Sequence, residues 1–585
     1  MKYPTLYEQE TSRQIIDTFG GYNHNLKISD GEFYDMKNMV SDYYPVLSPR
    51  RKRGIYATPG NPQGMIAKDS LCYIDGTDFV MNEYRVDMGL STEAKDCPKR
   101  LVSMGAYVIV LPDKKYINTL DLTDFGDIEA SYESNSPVIF QLCTIDGNEY
   151  TDVTISSSEP ENPENLDYWI DTSSTPHSLK QYSASSSIWV QIATTYIKIS
   201  ATGIGKAFNQ YDGVKISGII DESLQDLNAN MVVWAKGDDY IVVVGVLDTT
   251  ITQDVADGII TIERKMPAMD FIIESENRLW GCHYGVANNG DVVNEIYACK
   301  LGDFKNWNCF MGISTDSYAA SCGTDGQFTG AITHLGYPLF FKENCLHKVY
   351  GNYPANYQIQ TTACRGVQKG CSNSLAIVNE VLYYKSRNAV CAYDGSLPVE
   401  MSTSLGEISY SDAVACGHGN KYYISMKDTE GVYHLFVYDT SKGMWHKEDN
   451  TQADFFCSCR NELYYVDRNG KSIKTIFGSG ETESAPVEWV AETGVIGTNS
   501  PDKKYCSRLS VRMSLDIGSL VRFYVQYDSN GEWEHLFTME GKNLRSFTVP
   551  VRPKRCDHFK IRIEGEGEAK IYSITKTLEQ GSDIE

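Results

Sequence analysis

Short apolar runs recur along most of this chain at a nearly constant interval. The later runs begin at residues 339, 381, 421 and 463, so their starts lie about 40 residues apart. A period of about 40–45 residues with several short strands per period is typical of the blades of a β-propeller. The spacing therefore predicts a propeller of six to eight blades. The seven runs span residues 71–74, 107–111, 278–280, 339–341, 381–384, 421–424 and 463–466.

The composition also favours strands over helices. Tyr contributes 39 and Gly 47 of the 585 residues, and aromatic residues make up 11%. Aromatic side chains suit a pleated surface and Gly suits tight turns, so we expect an all-β chain. One predicted hairpin runs from Tyr438 to Trp445. Asp439 would open its turn, Gly443 would take the positive φ, and Trp445 would pack over the hairpin.

The period breaks between about residues 133 and 265. Residues 116–179 carry thirteen Asp or Glu and no Lys or Arg. Further strand-like runs follow, so this region predicts a separate acidic β-domain, residues 137–262. We expect it to be inserted into a propeller hairpin, because solvated loops tolerate insertions. Its acidity favours solubility or, alternatively, a surface that repels DNA.

The two ends of the chain differ from the repeat. Residues 1–60 are punctuated by Gly and Pro and predict an extended N-terminal arm. The basic run Arg50-Arg51-Lys52-Arg53 is interpreted as a solvated turn or, alternatively, as a contact with an acidic partner or with passing DNA. Residues 481–585 contain cleanly alternating runs such as 507–515, which predict a C-terminal β-sandwich. The propeller itself would then comprise residues 61–136 and 263–480.

Charge and targeting features exclude several classes of protein. The chain has 53 Lys and Arg against 77 Asp and Glu, a net charge of −24, which argues against wrapping nucleic acid through a basic face. No apolar run approaches 18 residues, so we expect no membrane insertion, and the charged N-terminus indicates no signal peptide. The sixteen Cys form no C-x-x-C pair, which predicts free thiols in a protein made in a reducing cytoplasm.

The usual catalytic motifs are missing from the sequence. It contains no G-x-S-x-G, no H-E-x-x-H and no calcium-loop pattern, and no two His lie four residues apart. Paired carboxylates can hydrolyse glycans on a propeller, but the sequence spacing cannot choose a pair here. The sequence therefore names no catalytic, cofactor-binding or metal-binding residue, and we expect neither a cofactor nor an enzyme.

Several segments resemble a family of phage tail proteins. The N-terminal part carries Phe19-Gly20-Gly21-Tyr22-Asn23, then residues 31–38 and 45–50. Residues 266–304, residues 339–351 and the Gly366 to Tyr384 region add further matches. Together they resemble the tail nozzle and tail-stabilisation propellers, the head-to-tail connectors of short-tailed phages. The resemblance covers roughly residues 15–480 as scattered short matches.

This resemblance implies a mechanical function in a bacteriophage virion. Such a protein would assemble in the host bacterial cytoplasm and form a homo-oligomeric ring, a hexamer, in the tail. The ring would lie below the portal and adaptor proteins, extend and close the DNA channel, and anchor tail fibre or spike proteins. Genomic DNA would pass through it transiently during ejection without specific binding, since an acidic lumen does not retain a polyanion.

Two alternatives stay open. The first is a tail-tip receptor-binding protein that recognises or cleaves a host surface glycan, using the propeller face or the C-terminal sandwich. The second is a bacterial propeller scaffold unrelated to phage.

Overall fold

The computed structural model describes residues 11–286, 290–498 and 502–580. Strands account for 51% of the chain and helix for 3%, which confirms the predicted all-β class. The described helical residues form short 3₁₀ helices at Ala94–Asp96, Glu222–Leu227, Pro354–Asn356, Ser372–Ser374 and Thr403–Leu405. Within the described ranges, no helix is long and apolar enough to cross a membrane.

Residues 11–127 form an N-terminal segment followed by two four-stranded sheets. The segment contains β1 (Thr11–Ile16), β2 (Gly21–Tyr22), β3 (Glu32–Lys37), β4 (Met39–Val40), β5 (Ser48–Pro49) and β6 (Gly54–Ala57). The first sheet contains β7 (Pro62–Ala67), β8 (Leu71–Asp75), β9 (Asp78–Met81) and β10 (Tyr84–Asp87). The second contains β11 (Arg100–Met104), β12 (Tyr107–Leu111), β13 (Lys115–Asn118) and β14 (Phe125–Asp127).

The inserted region follows β14 and forms three small sheets. Its strands are β15 (Ala130–Glu133), β16 (Val138–Cys143), β17 (Val153–Ser156), β18 (Tyr168–Asp171), β19 (Ser178–Ser183), β20 (Ile188–Gln191), β21 (Tyr196–Ser200), β22 (Gly213–Ser217), β23 (Asn230–Val232), β24 (Ala235–Lys236), β25 (Tyr240–Val244), β26 (Ile251–Gln253) and β27 (Thr261–Arg264). β15 pairs antiparallel with β27, and Ala130 lies opposite Arg264. The chain therefore enters and leaves this region on neighbouring strands. The sequence predicted an insertion, residues 137–262, within a propeller hairpin. The structure instead places the insertion between two sheets, because the second sheet is complete before β15 begins.

Five more sheets of the same kind follow the insertion. The third contains β28 (Phe271–Ser275), β29 (Arg278–Val286), β30 (Val292–Ala298) and β31 (Tyr318–Ser321). The fourth contains β32 (Gly330–His334), β33 (Tyr337–Lys342), β34 (Cys345–Tyr350) and β35 (Gln358–Ala363). The fifth contains β36 (Ala376–Val378), β37 (Val381–Lys385), β38 (Val390–Tyr393) and β39 (Val399–Glu400), and the sixth β40 (Ser411–His418), β41 (Lys421–Lys427), β42 (Tyr433–Asp439) and β43 (Met444–Lys447). The seventh combines β44 (Ala453–Cys459), β45 (Glu462–Asp467) and β46 (Ile473–Thr475) with β6 and β47 (Glu481–Thr482).

The first strands of these seven sheets surround one central tunnel. β7 contacts β11, β11 contacts β28, and β28 contacts β32; β32 contacts the 3₁₀ helix before β36, β36 contacts β40, and β40 contacts β44. The circle closes because β44 contacts β7. The tunnel is a cavity of about 440 Å³, and most of the side chains that line it are apolar. Each sheet contributes to that wall, through Met65, Leu101, Phe271, Ile332, Ile377, Val414 and Phe455.

The seventh sheet joins the two ends of this circle. β6 pairs antiparallel with β46, so a strand from the N-terminal segment completes a sheet built from residues 453–475. Antiparallel pairing of an early strand with a late one fixes the circle without any covalent closure.

The C-terminal strands and the N-terminal segment share one eight-stranded sheet. Its late strands are β48 (Glu488–Thr493), β49 (Lys504–Tyr527), β50 (Glu534–Val549), β51 (Phe559–Glu566) and β52 (Ala569–Gln580). The order is β1-β52-β49-β51-β48-β3-β2. β52 and β51 pair with successive parts of the long strand β49, and β50 also pairs with β49. The predicted extended arm, residues 1–60, is therefore wrong over its described part; residues 1–10 lie outside the described ranges. The physical reason is burial, since Phe19, Phe33 and Met36 pack in the core that this sheet shares with the fifth and sixth sheets.

Two local predictions agree with the structure. In the hairpin between β42 and β43, Gly443 has a φ of 67°, and the Asp439 carboxylate accepts hydrogen bonds from the backbone N–H groups of Ser441 and Lys442. The Trp445 ring lies 5.0 Å from the ring of its cross-strand partner Tyr438, centroid to centroid, so the two rings pack against each other within the hairpin. All sixteen cysteines are free thiols, and twelve of them are buried.

Candidate functional site at the mouth of the central tunnel

A larger cavity opens at one end of the tunnel. This mouth has a volume of about 920 Å³ and shares Arg100, Asn373 and Phe455 with the tunnel wall, so the two spaces are continuous. It lies where the first strands begin, because its lining includes Asn61, Met269 and other residues at or just before those strands. Segments that lead into a strand have backbone groups free of the sheet ladder, and their side chains can turn toward the opening.

Three side chains of the mouth lie at irregularities in the first strands. The register of β7 shifts between Pro62 and Gly64, that of β40 between Ser411 and Val414, and that of β44 between Ala453 and Phe455. The residues at these shifts are Gln63, Asp412 and Asp454, and Asp412 has a φ of 47°. An irregularity of this kind re-aims a side chain out of the regular alternation, which explains why these three polar groups line the mouth although most side chains of the adjoining tunnel are apolar.

One arginine holds the two carboxylates together. Arg468 Nη1 lies 2.7 Å from Asp412 Oδ2, and Arg468 Nε lies 2.5 Å from Asp454 Oδ1. The Tyr433 hydroxyl donates a hydrogen bond to Asp412 and accepts one from Arg468. Each of the three charged side chains is about one-third exposed, at 33%, 40% and 34% for Arg468, Asp412 and Asp454. The carboxylates are therefore accessible from the mouth although both are paired.

The surroundings set the protonation states of this group. Burial tends to raise the pKa of Asp412, but hydrogen bonds from Arg468 and Tyr433 bring the pKa below its ordinary value. Burial and the hydrogen bond to Asp412 raise the pKa of Tyr433 to about 12. At neutral pH, Asp412 is thus a carboxylate and Tyr433 a neutral hydroxyl that donates to it.

Gln63 is a buried amide without a hydrogen-bond partner. It is 2% exposed, and among the described residues nothing hydrogen-bonds to its Oε1 or Nε2 atom. Its side chain lines the mouth beside Lys99, whose Nζ atom lies 2.7 Å from Asp113 Oδ2 in a buried ion pair. Leaving a buried amide unpaired costs about 1–3 kcal/mol, so a ligand that paired with Gln63 would recover that cost.

The sequence did not identify these residues. Asp412 and Arg468 lie 56 positions apart, and no motif marks either of them. The acidic stretch at residues 116–179 contributes no residue to the lining of the mouth or of the tunnel. Within the described ranges, no group of three or more His, Cys, Asp or Glu side chains is placed to hold a metal ion.

Comparisons with known proteins give low-scoring matches to carbohydrate-active proteins. No family model and no curated protein matches the chain. An exo-β-1,3-galactanase from Phanerochaete chrysosporium with galactose is 9% identical, covering 52% of this chain and 94% of its own, with a TM-score of 0.21. A GH43 glycoside hydrolase engineered for endo-xylanase and exo-arabinofuranosidase activity is 8% identical, covering 53% and 96%, with a TM-score of 0.20. A carbohydrate-binding module of the β-sandwich superfamily is 12% identical, covering 35% and 92%, with a TM-score of 0.09.

These matches correct two predictions made from the sequence. The tail-nozzle function and the expectation of a non-enzyme are both contradicted, because the matching structures are glycoside hydrolases rather than tail proteins. The alternative of a protein that recognises or cleaves a glycan fits them better. TM-scores near 0.2 assign no activity to this chain, so any function has to be argued from its own residues.

Proposed function

We propose that this chain is a carbohydrate-active protein that binds and hydrolyses a saccharide at the mouth of the central tunnel. We further propose that the seven sheets are the blades of one seven-bladed propeller and that the C-terminal sheet folds on itself as a β-sandwich. The observation that carries the functional proposal is the pair Asp412 and Asp454, held by Arg468 at the edge of a 920 Å³ cavity.

The two carboxylates match the chemical needs of glycoside hydrolysis. That reaction uses one carboxyl group to protonate the leaving oxygen and a second, ionised one to attack the anomeric carbon or to activate water. Asp412 is held ionised and suits the second role. Asp454, on the neighbouring blade, is the other carboxyl group that contacts Arg468. It is the candidate for the first role once the incoming glycoside displaces Arg468 and Asp454 takes up a proton from solvent.

The rest of the mouth suits a sugar. Its volume lies in the range of small-molecule sites, and its lining combines charged, amide and hydroxyl side chains with apolar ones. Asn61, Gln63 and Asn373 offer hydrogen bonds to sugar hydroxyls, while Phe455 and Met269 offer apolar contacts to the ring faces.

The test is the release of reducing sugars from a panel of plant and bacterial polysaccharides. We expect release from at least one substrate, and a loss of at least 100-fold in Asp412→Asn and Asp454→Asn. Asp516→Asn, at an exposed position within β49, is the matched control and should retain the wild-type rate. Wild-type rates in both mouth variants, or neither release nor binding across the panel, would refute the proposal.

The resemblance to short-tailed phage proteins supports a setting for this activity. We propose that the chain lies at the tail tip of a virion, next to further copies of itself and other tail proteins, and acts on a host surface glycan. Mass spectrometry of purified virions, with antibody labelling of the tail, tests this setting. Absence of the chain from virions would reject the setting and would leave the hydrolysis proposal unaffected.

A further inference from the structure

Arg100 brings an unpaired positive charge to the point where the mouth meets the tunnel. It lines both cavities, and its guanidinium carbon lies 4.2 Å from the centroid of the Phe271 ring. No described residue accepts a hydrogen bond from its guanidinium or lies within ion-pair distance of it. The Asp270 carboxylate, which acts on Arg100 only through its charge, is already bonded to His283 and to the Tyr284 N–H.

The other cations of the mouth each have a carboxylate partner. Lys99 pairs with Asp113, and Lys95 pairs with Glu93. Arg468 pairs with both Asp412 and Asp454. Asp96 accepts a hydrogen bond from the Ser91 hydroxyl. Among the described residues that line the mouth, Arg100 is therefore the cation without a carboxylate partner.

Burial makes this position unfavourable without a ligand. Desolvation lowers the pKa of Arg100, because the low-dielectric wall disfavours its charged form. A guanidinium binds a carboxylate through two parallel hydrogen bonds, and such charge-assisted pairs are stronger than neutral ones. The backbone N–H of Lys99 donates to the backbone carbonyl oxygen of Gln63 at 2.7 Å, so Gln63, with its unpaired side-chain amide, lies on the adjacent first strand next to the residue that precedes Arg100.

We propose that the site takes an acidic saccharide, with the sugar carboxylate bound by Arg100 and a neighbouring hydroxyl bound by Gln63. This inference rests on the proposed function and specifies its substrate class. An inorganic anion would pair with Arg100 but would leave most of the 920 Å³ mouth and its polar side chains unused. A sugar ring bearing a carboxylate fills the mouth and places its charge at the tunnel end.

The experiment is calorimetric titration of the complete chain with matched oligosaccharides. One pair is trigalacturonate and galactotriose of the same linkage, and the second is sialyllactose and lactose. We expect the acidic member of at least one pair to bind at least tenfold more tightly than its neutral counterpart. Arg100→Gln should abolish that preference, whereas Arg387→Gln, at an exposed position outside both cavities, should keep it.

Each outcome decides between the two proposals. Equal affinity for acidic and neutral members refutes the acidic substrate class and leaves saccharide binding intact. Binding of sodium sulfate as tight as that of the acidic sugar also refutes it, because the site would then recognise an anion rather than a saccharide. No binding by any of the four sugars refutes the acidic substrate class, and the polysaccharide panel then decides the hydrolysis proposal separately. The comparison within each pair uses the wild-type chain, so it holds even if Arg100→Gln folds poorly.

Discussion

Arg53 Nη2 lies 2.6 Å from Glu448 Oε2, and both side chains are almost fully buried, at 3% and 2% exposure. Arg53 Nη1 also lies 2.7 Å from Asp449 Oδ2. Burial opposes the charge of Arg53, but Asp449, Tyr465 and Glu448 raise its pKa well above the ordinary value, so it stays charged. The basic run at residues 50–53 is thus no solvated turn at this position, since its acidic partner belongs to the same chain.

We predict that Glu448→Gln destabilises the protein by about 3 kcal/mol. Removing one member of a buried ion pair leaves the other charge without full compensation. The shift in urea midpoint measures the loss. The matched control is Glu488→Gln, which breaks the exposed Lys37–Glu488 pair and should change stability by less than about 1 kcal/mol. Equal losses of stability in the two variants would show that the charge of Arg53 is compensated in the folded protein without Glu448.

We predict that Gly366→Ala costs about 2 kcal/mol or more. A Cβ atom at residue 366 would lie 1.7 Å from the Lys342 carbonyl oxygen, which is backbone and cannot rotate away. Gly323→Ala is the control, because a Cβ there would meet nothing within 4 Å. Thermal melting should separate the two variants by several degrees. Identical melting curves would mean that the segment after β35 can move away from the end of β33 at this contact.

We predict that stability falls between pH 6.5 and pH 4 because of two buried histidines. Burial lowers the pKa of His347 and of His446 to about 4, and Lys342 adds to the effect on His347. Between pH 6.5 and pH 4 these histidines bind protons in the unfolded chain but stay neutral in the folded chain. Their full contribution to the free energy of unfolding is therefore present above pH 6.5 and is lost as the pH falls toward 4. Each histidine contributes on the order of 3 kcal/mol.

Unfolding in urea at pH 7 and pH 4.5 measures this loss. His347→Gln should reduce the difference between the two pH values, whereas His535→Gln, at an exposed site, should not. An unchanged difference in His347→Gln would place the acid sensitivity elsewhere in the chain.

We predict that residues 130–264 can be replaced by a short Gly-Ser bridge. Ala130 lies opposite Arg264, so the two ends of the insertion are already neighbours, and its core is separate from that of the sheets around the tunnel. The deletion would remove the hydrogen bonds that join Asn306 to Asp212 and to the Gly213 N–H. The remainder should nevertheless stay soluble and melt cooperatively. If the remainder and the isolated insertion are both insoluble, the insertion is not an independent unit.

The sequence predicted those parts of the fold that depend on local burial. Each of its seven apolar runs falls on the second strand of a sheet, from β8 to β45. Second strands have a partner on both edges and neighbouring sheets on both faces, so nearly all their side chains are apolar. The outer strands β10 and β39 are mostly exposed, and their sequences carry no such signal.

Pairing between distant segments could not be predicted in the same way. β1 pairs with β52, so Thr11 lies opposite Glu579, and no local pattern records such a partner. Gly and Pro residues do recur throughout residues 1–60, but short strands such as β2 and β4 form between them.

The candidate site was hidden for a related reason. Asp412 and Asp454 reach the mouth because the strand register shifts beside them, and that shift arises from pairing rather than from either residue alone. Arg468 joins them from the turn after β45. Only the circular arrangement of the sheets brings these three positions to one opening.

The closure of the seventh sheet by β6 also constrains how the chain is made. Residues 54–57 leave the ribosome long before their partner β46, at residues 473–475, has been synthesised. The interval is longer for β1, because its partner β52, at residues 569–580, is synthesised later still. During translation these early strands have backbone groups that stay unpaired until β46 and β52 have been synthesised, so we expect chaperones to bind the nascent chain during that interval.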